Sequence, residues 1–145
     1  MRLSKRALLL FAASLLASPA PAAESKKPQL DLRVMPRVGL PSTEFVFVAD
    51  LKGGPETEAL YCPTLEWEWG PQQTSVQEPE CPPFQPDVTR IERRFSASRT
   101  FAADGQRSVT LILRKDGKVL ARASASFRVT WEKGRLKGTF RDSRP

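Results

Sequence analysis

The stretch Val109–Val129 reads VTLILRKDGKVLARASASFRV, and its pattern predicts a β-hairpin. Apolar residues occupy alternate positions before the sequence Lys-Asp-Gly-Lys at 115–118, and they do so again after it. Alternation with a period of two is typical of strands that bury one face, and Asp-Gly is a frequent hairpin turn. The stretch therefore predicts two antiparallel strands that share one buried face.

The register of this hairpin follows from how it distributes charged side chains. A two-residue Asp-Gly turn places Leu111 opposite Arg122 and mixes apolar with charged residues on one face. A three-residue loop with Gly117 in the left-handed position of a bulge pairs Arg114 with Lys118 and separates the two classes. We therefore predict the second register. Its inner face pairs Leu113 with Val119, Leu111 with Ala121 and Val109 with Ala123, and continues through Phe127 and Val129.

Two segments before the hairpin also read as strands. Residues 30–34 alternate apolar with charged side chains until Pro36, which ends the pattern. Residues 45–51 place two phenylalanines on one face, and Val46 and Val48 on the other. Because both of its faces are apolar, we predict that the second strand is central and covered on both sides.

A third segment carries two of the three tryptophans of the chain. Trp67 and Trp69 alternate with Glu66 and Glu68, which predicts inward rings and outward carboxylates. The Pro- and Gln-rich residues 70–87 then read as a long loop. Apolar residues at 91 and 95 suggest one more strand, although Arg93 falls on the same face.

No segment beyond the first 22 residues shows a helical period. Several short strands separated by Pro and Gly turns predict an all-β fold, an antiparallel β-sandwich of about seven strands.

Three motifs resemble PKD-type immunoglobulin-like domains, in the order in which that family carries them. They are the Gly turn and Phe-x-Ala strand of 38–51, the Glu-Trp-Glu-Trp-Gly strand of 66–70, and Phe101–Gly105 followed by Val-Thr-Leu at 109–111. The family's Gly-Asp-Gly after the Trp strand is replaced here by Gly70-Pro71-Gln72, and the loop around Cys81 is an insertion. The resemblance implies an extracellular sandwich that contacts carbohydrate or protein, and it names no ligand.

The first 22 residues have the order of a secretory signal peptide. Three basic residues precede an apolar run from Ala7 to Ala17, and small residues lead to an expected cleavage after Ala22. The apolar run is too short to span a bilayer, so we expect no integral membrane protein after cleavage. The predicted organisation is a signal peptide (1–22), a flexible lead-in (23–29), a sandwich domain (30–131) and a basic tail (132–145). Export predicts a secreted or periplasmic protein.

Cys62 and Cys81 are the only cysteines of the chain. Because an exported protein folds in an oxidising compartment, we predict that they form a disulfide. The bridge would attach the Pro-rich loop to the start of the Trp strand.

The charges are divided along the chain. Residues 23–87 carry 5 basic and 11 acidic side chains, whereas residues 88–145 carry 15 basic and 5 acidic. In the predicted register four of the basic residues project from the outer face of the last hairpin: Arg114, Lys118, Arg122 and Arg128. They form the candidate basic binding face, to which Arg90, Arg94 and Arg99 are possible additions. Solvated charges that attract the acidic half of the domain are the structural alternative.

The composition favours binding over catalysis. The chain has no His, which excludes imidazole-based catalysis and His-ligated metal. Glu66 and Glu68 lie side by side rather than on opposite sides of a bond, and the acidic loop residues lack calcium-loop spacing. We therefore expect no enzyme, no cofactor and no metal site. The expected partner is a protein or an anionic glycan or lipid surface, and no nucleic acid. The predicted function is an exported binding module; the alternative is a structural accessory subunit of a cell-envelope complex.

Overall fold

The computed structural model describes residues 27–131, and within them the fold is all-β. Eight strands and one 3-10 turn (Glu58–Leu60) follow one another. The strands are β1 (Gln29–Met35), β2 (Val38–Gly39), β3 (Phe45–Lys52), β4 (Thr64–Gly70), β5 (Gln73–Gln77), β6 (Arg94–Arg99), β7 (Gly105–Lys115) and β8 (Lys118–Val129). The predicted signal peptide, most of the lead-in and the basic tail lie outside the described residues. Between residues 27 and 131 no helix is long and apolar enough to cross a membrane.

The strands form two sheets that pack as a sandwich. One sheet has the order β1-β3-β6, and the other has the order β2-β8-β7-β4-β5. All pairs are antiparallel except β2 with β8, which is parallel. Two sheets packed face to face form a β-sandwich, so the predicted all-β sandwich fold is confirmed. The PKD resemblance itself stays a prediction.

Aromatic rings from both sheets meet at the centre of the core. Phe45 and Phe47 of β3 are fully buried, as is Trp67 of β4. The Phe47 ring meets the Trp69 ring edge-on at 5.5 Å between centroids, and Trp67 stacks on Trp69 at 5.2 Å. Each ring of this size buries roughly 150–250 Å², so these rings contribute strongly to the stability of the core. The inward placement of both tryptophans is as the alternation predicts.

The final hairpin differs from the predicted register. Its loop is two residues long, since Lys115 pairs with Lys118, and Asp116 and Gly117 both have positive φ. The register then shifts by one residue, so the inner pairs are Leu113 with Ala121, Leu111 with Ala123 and Val109 with Ala125. A bulge behind a tight turn restores the apolar face that the turn alone would disrupt. The two-residue turn and the bulge are alternatives in our prediction, whereas the hairpin contains both.

The structure corrects two further strand predictions. Strand β3 is central in its sheet, but its outer face is open: Val46 is 37% exposed and Val48 is only partly buried. Strand β5 lies inside the segment that we predicted as loop. An edge strand is held by backbone bonds to one neighbour and needs no apolar alternation, so β5 leaves little pattern in the sequence. Only residues 78–93 form the loop.

Candidate functional site

The candidate basic face lies outside β7 and β8, and two of its arginines already have carboxylate partners. Arg122 and Arg128 alternate with buried residues of β8 and therefore point outward. The Arg114 Nε donates to Glu66 Oε2 at 2.5 Å, and Arg122 Nη2 lies 3.7 Å from Glu68 Oε2. The outward glutamates of β4 thus neutralise the centre of this face.

The remaining members of this face are far apart along the hairpin. Lys118 follows the turn, while Arg128 lies at the opposite end of β8 and reaches only the Gln106 side chain at 3.4 Å. Of the possible additions, Arg94 belongs to the other sheet and Arg99 stacks 5.2 Å above the Trp69 ring. The structure therefore does not bring these cations together, and as a binding face the row stays a prediction.

A denser group of arginines lies on the outer face of the three-stranded sheet. A cleft of about 300 Å³ has walls formed by Arg33, Val34, Met35, Arg37, Val48 and Arg94, and we call it the arginine cleft. Arg33 projects outward from β1 because Leu32 and Val34 point into the core. Met35 is 58% exposed, so the cleft combines guanidinium groups with accessible apolar surface.

Asp50 is the carboxylate that orders two of these guanidinium groups. Strand pairing places it opposite Arg94 on one side and Asp31 on the other. Its Oδ1 accepts from Arg94 Nε at 2.9 Å, and its Oδ2 accepts from Arg33 Nη2. Asp31 is paired instead with Lys52 at 3.0 Å. One carboxylate therefore serves two arginines, which leaves the cleft with excess positive charge.

The contacts of Asp50 with Arg94 and Arg33 affect the pKa of its carboxyl group. The hydrogen bond from Arg94, reinforced by the Arg33 contact, lowers it from the ordinary value of 3.8 despite partial desolvation. A lowered folded-state pKa means that the ion pairs stabilise the fold above the unfolded-state pKa, and that this contribution is lost as the pH falls through the folded value. We expect NMR titration to place the Asp50 midpoint below 3.8 and Arg94→Gln to raise it. Equal midpoints in the two proteins would contradict the geometry.

Arg37 extends the cleft around the corner of the sandwich. Together with Arg33 it also lines a neighbouring hollow of about 310 Å³ on the side of β8, where Ser124 and Ser126 add hydroxyl groups. The Arg37 side chain makes no ion pair with any of residues 27–131. Its backbone is nevertheless fixed, because its carbonyl accepts from the Arg128 N–H at 2.9 Å. Among residues 27–131, Arg37 therefore has no countercharge, and its backbone is anchored beside β8.

The predicted disulfide is present, and it attaches the long loop to the sandwich. Cys62 and Cys81 are bonded, and the bridge joins the long loop to the residues just before β4. The Tyr61 hydroxyl donates to the Pro82 carbonyl at 2.8 Å, and the Tyr61 ring packs against Phe84. A cavity of about 200 Å³ lies behind the bridge, lined mainly by apolar residues. The loop is thus held by covalent, polar and apolar contacts.

Five carboxylates of the described chain take part in ion pairs, among them Asp31 and Asp50. Glu66 and Glu68 face arginines of the hairpin, and Glu56 pairs with Arg93. Among residues 27–131, no three His, Cys, Asp or Glu side chains are close enough to hold a metal ion together.

Comparison with known proteins adds no family. No protein-family model matches the chain, and no curated protein matches it.

Part of the arginine cleft was visible in the sequence. The alternation of 30–34 already placed Arg33 outward. The contribution of Arg94 was not visible, since it depends on β3 pairing with β6 through Asp50. Arg37 follows a strand end, and no period assigns such a residue to a face.

Proposed function

We propose that this chain is an exported, non-catalytic binding module that recognises an anionic partner through the arginine cleft. The supporting observation is that Arg33 and Arg94 share one carboxylate while Arg37 has none within the described residues. Guanidinium groups bind carboxylate, phosphate and sulfate in bidentate geometry, and ordered ones lose little freedom on binding.

The surface around the cleft supports this function. Met35 and Val48 lie between the cations, so a ligand that carries both an anion and apolar groups meets both kinds of contact. Ser124 and Ser126 offer further donors where the cleft turns the corner. The absence of His from the sequence and the pairing of Glu66 and Glu68 with arginines favour binding over catalysis.

The test compares charge reversals on the two candidate faces. Heparin and phosphatidylglycerol vesicles serve as anionic probes, the first for a glycan and the second for a lipid source. We expect Arg37→Glu to weaken binding of the recognised probe by roughly tenfold or more, since a hydrogen bond to a charged group contributes about 1.5–3 kcal/mol. Arg37 makes no side-chain hydrogen bond within residues 27–131, so the fold should be unaffected.

Lys118→Glu is the matched control, because Lys118 lies at the turn end of β8, whereas Arg128 lies next to Arg37 at the other end. It produces the same change in net charge on the hairpin face, and we expect it to retain near-native affinity. If Lys118→Glu weakened binding as much as Arg37→Glu did, binding would depend on overall charge rather than on the cleft, and the proposal would fail.

The alternative function, a structural accessory subunit of an envelope complex, is favoured by exposed apolar residues where β8 ends. Val38 and Leu40 are 57% and 41% exposed, and Trp131 is 63% exposed. The backbone of Thr130 bonds to Gly39, which brings these residues near one another. An envelope partner that co-purifies with Arg37→Glu but is lost with Leu40→Asp would favour this alternative.

A further inference from the structure

Within residues 27–131, strand β5 is a free edge of the five-stranded sheet. Among these residues it pairs only with β4, and every residue from 71 to 80 is exposed except Ser75. A free edge presents unpaired backbone N–H and C=O groups that a further strand can satisfy. Proteins block such edges with charged residues or proline, yet Gln73–Gln77 contains neither.

The orientation of β5 is fixed before any partner arrives. The Trp69 Nε1–H donates to Ser75 Oγ at 2.8 Å, which holds Ser75 toward the sandwich. Thr74 and Val76 therefore share the outer face, opposite Glu68 and Glu66 of β4. Val76 is 57% exposed, an apolar side chain without cover at the rim of the sheet.

The sequence of β5, Gln-Thr-Ser-Val-Gln, is suited to antiparallel pairing with a second copy of itself. We consider the register in which Ser75 of one copy lies opposite Ser75 of the other. Gln73 then faces Gln77 of the second copy, and Thr74 faces Val76. Glutamine pairs exchange amide hydrogen bonds, and a Thr–Val pair packs well on a pleated surface.

The charges next to the strand are compatible with this pairing. In the same register Glu78 lies opposite Gln72 of the second copy, and Glu80 lies opposite Gly70. No like charges therefore face each other across the two-fold axis, although both glutamates are close to it in sequence. Opposed like charges would have been the main obstacle to such an edge contact.

We propose that two copies of this chain associate through antiparallel pairing of β5, which joins their five-stranded sheets into one continuous sheet. The contact is isologous, since each copy offers the same strand, and it closes as a dimer. A strand of five residues buries less area than a stable interface, so the dimer is weak, in the micromolar-to-millimolar range. The contact is independent of the arginine cleft.

Sedimentation equilibrium of the purified full chain, from about 5 µM to 1 mM, tests this proposal. The decisive variant carries Thr74→Lys and Val76→Lys, which place lysines directly opposite each other in the dimer. In the monomer the same lysines face Glu68 and Glu66, so the β4–β5 pairing is retained. We expect wild type to dimerise with rising concentration and the variant to stay monomeric, with an unchanged melting temperature.

Two further measurements make the test specific. Ser96→Lys with Ser98→Lys adds the same charge to the outer face of β6, and it should dimerise as wild type does. Mixing the double-lysine variant with a Thr74→Glu/Val76→Glu variant should restore a mixed dimer, because opposite charges then meet across the axis. A wild-type monomer at every concentration, or a dimer that survives the double-lysine change, would overturn the proposal. If wild type stays monomeric at every concentration, the partner of this edge would have to be a strand of another protein.

Discussion

Replacing Trp67 by alanine should lower the free energy of unfolding by about 3–5 kcal/mol, the loss typical of a fully buried large aromatic residue. Trp67 has no exposed surface, stacks on Trp69 at 5.2 Å and lies 6.3 Å from Phe47, so its removal opens a cavity between the sheets. The total free energy of unfolding of a domain of this kind is about 5–15 kcal/mol, so this loss is a large part of it. Urea unfolding followed by circular dichroism measures the loss.

Two controls show whether this loss comes from burial. Trp131→Ala removes the same side chain from a site that is 63% exposed, and it should stay within about 0.5 kcal/mol of wild type. Trp67→Phe should cost much less than Trp67→Ala. It keeps a ring in the core and removes a buried indole N–H that has no hydrogen-bond partner within the described chain. A Trp67→Ala loss below 1 kcal/mol would contradict the core described here.

Removing the disulfide should cost about 3 kcal/mol, which is the chain-entropy estimate for a loop of this length. The bridge closes a sequence separation of 19 residues and attaches the long loop to the start of β4. Cys62→Ser with Cys81→Ser, compared with wild type in urea, measures the effect. The protein should still fold, because most of the buried core residues belong to the two sheets and Ile91 is the one buried residue that residues 78–93 contribute.

A reductant provides the internal control for the disulfide. Dithiothreitol should lower the unfolding midpoint of wild type to that of the double variant, and it should leave the double variant unchanged. A wild-type midpoint that does not respond to reductant after the thiols have been shown to be free would contradict a stabilising role for the bridge.

Much of the fold was predictable from local pattern because it depends on alternation. The period of two identified β1, β3, β4 and the final hairpin, and it placed both tryptophans of β4 inward. The exact register of the hairpin was not predictable, since a turn and a bulge each account for the charges and the chain combines them. Strand β5 was missed because its only apolar residue, Val76, points to solvent.

The candidate site was less predictable than the fold for a related reason. The sequence reveals which residues are charged and which face of a strand they occupy, but ion pairs form between strands that are distant in sequence. The sequence alone assigns no partner to Arg114 or Arg122. In the structure, β4 places Glu66 beside Arg114 and Glu68 beside Arg122. Arg33 and Arg94 meet only because Asp50 lies between them on β3.

The most direct test of the arginine cleft is to remove the one carboxylate that partly neutralises it. Asp50→Asn leaves Arg33 and Arg94 without that countercharge, and it should tighten binding of the recognised anionic probe, heparin or phosphatidylglycerol vesicles, by roughly fivefold, since a unit charge at ~4 Å in water contributes about 1 kcal/mol. Glu66→Gln makes the same change in net charge on the hairpin face, where it frees Arg114, and should have little effect. Tighter binding by Asp50→Asn alone is the result that this account predicts. Tighter binding by Glu66→Gln alone, or equal changes in both variants, would contradict it.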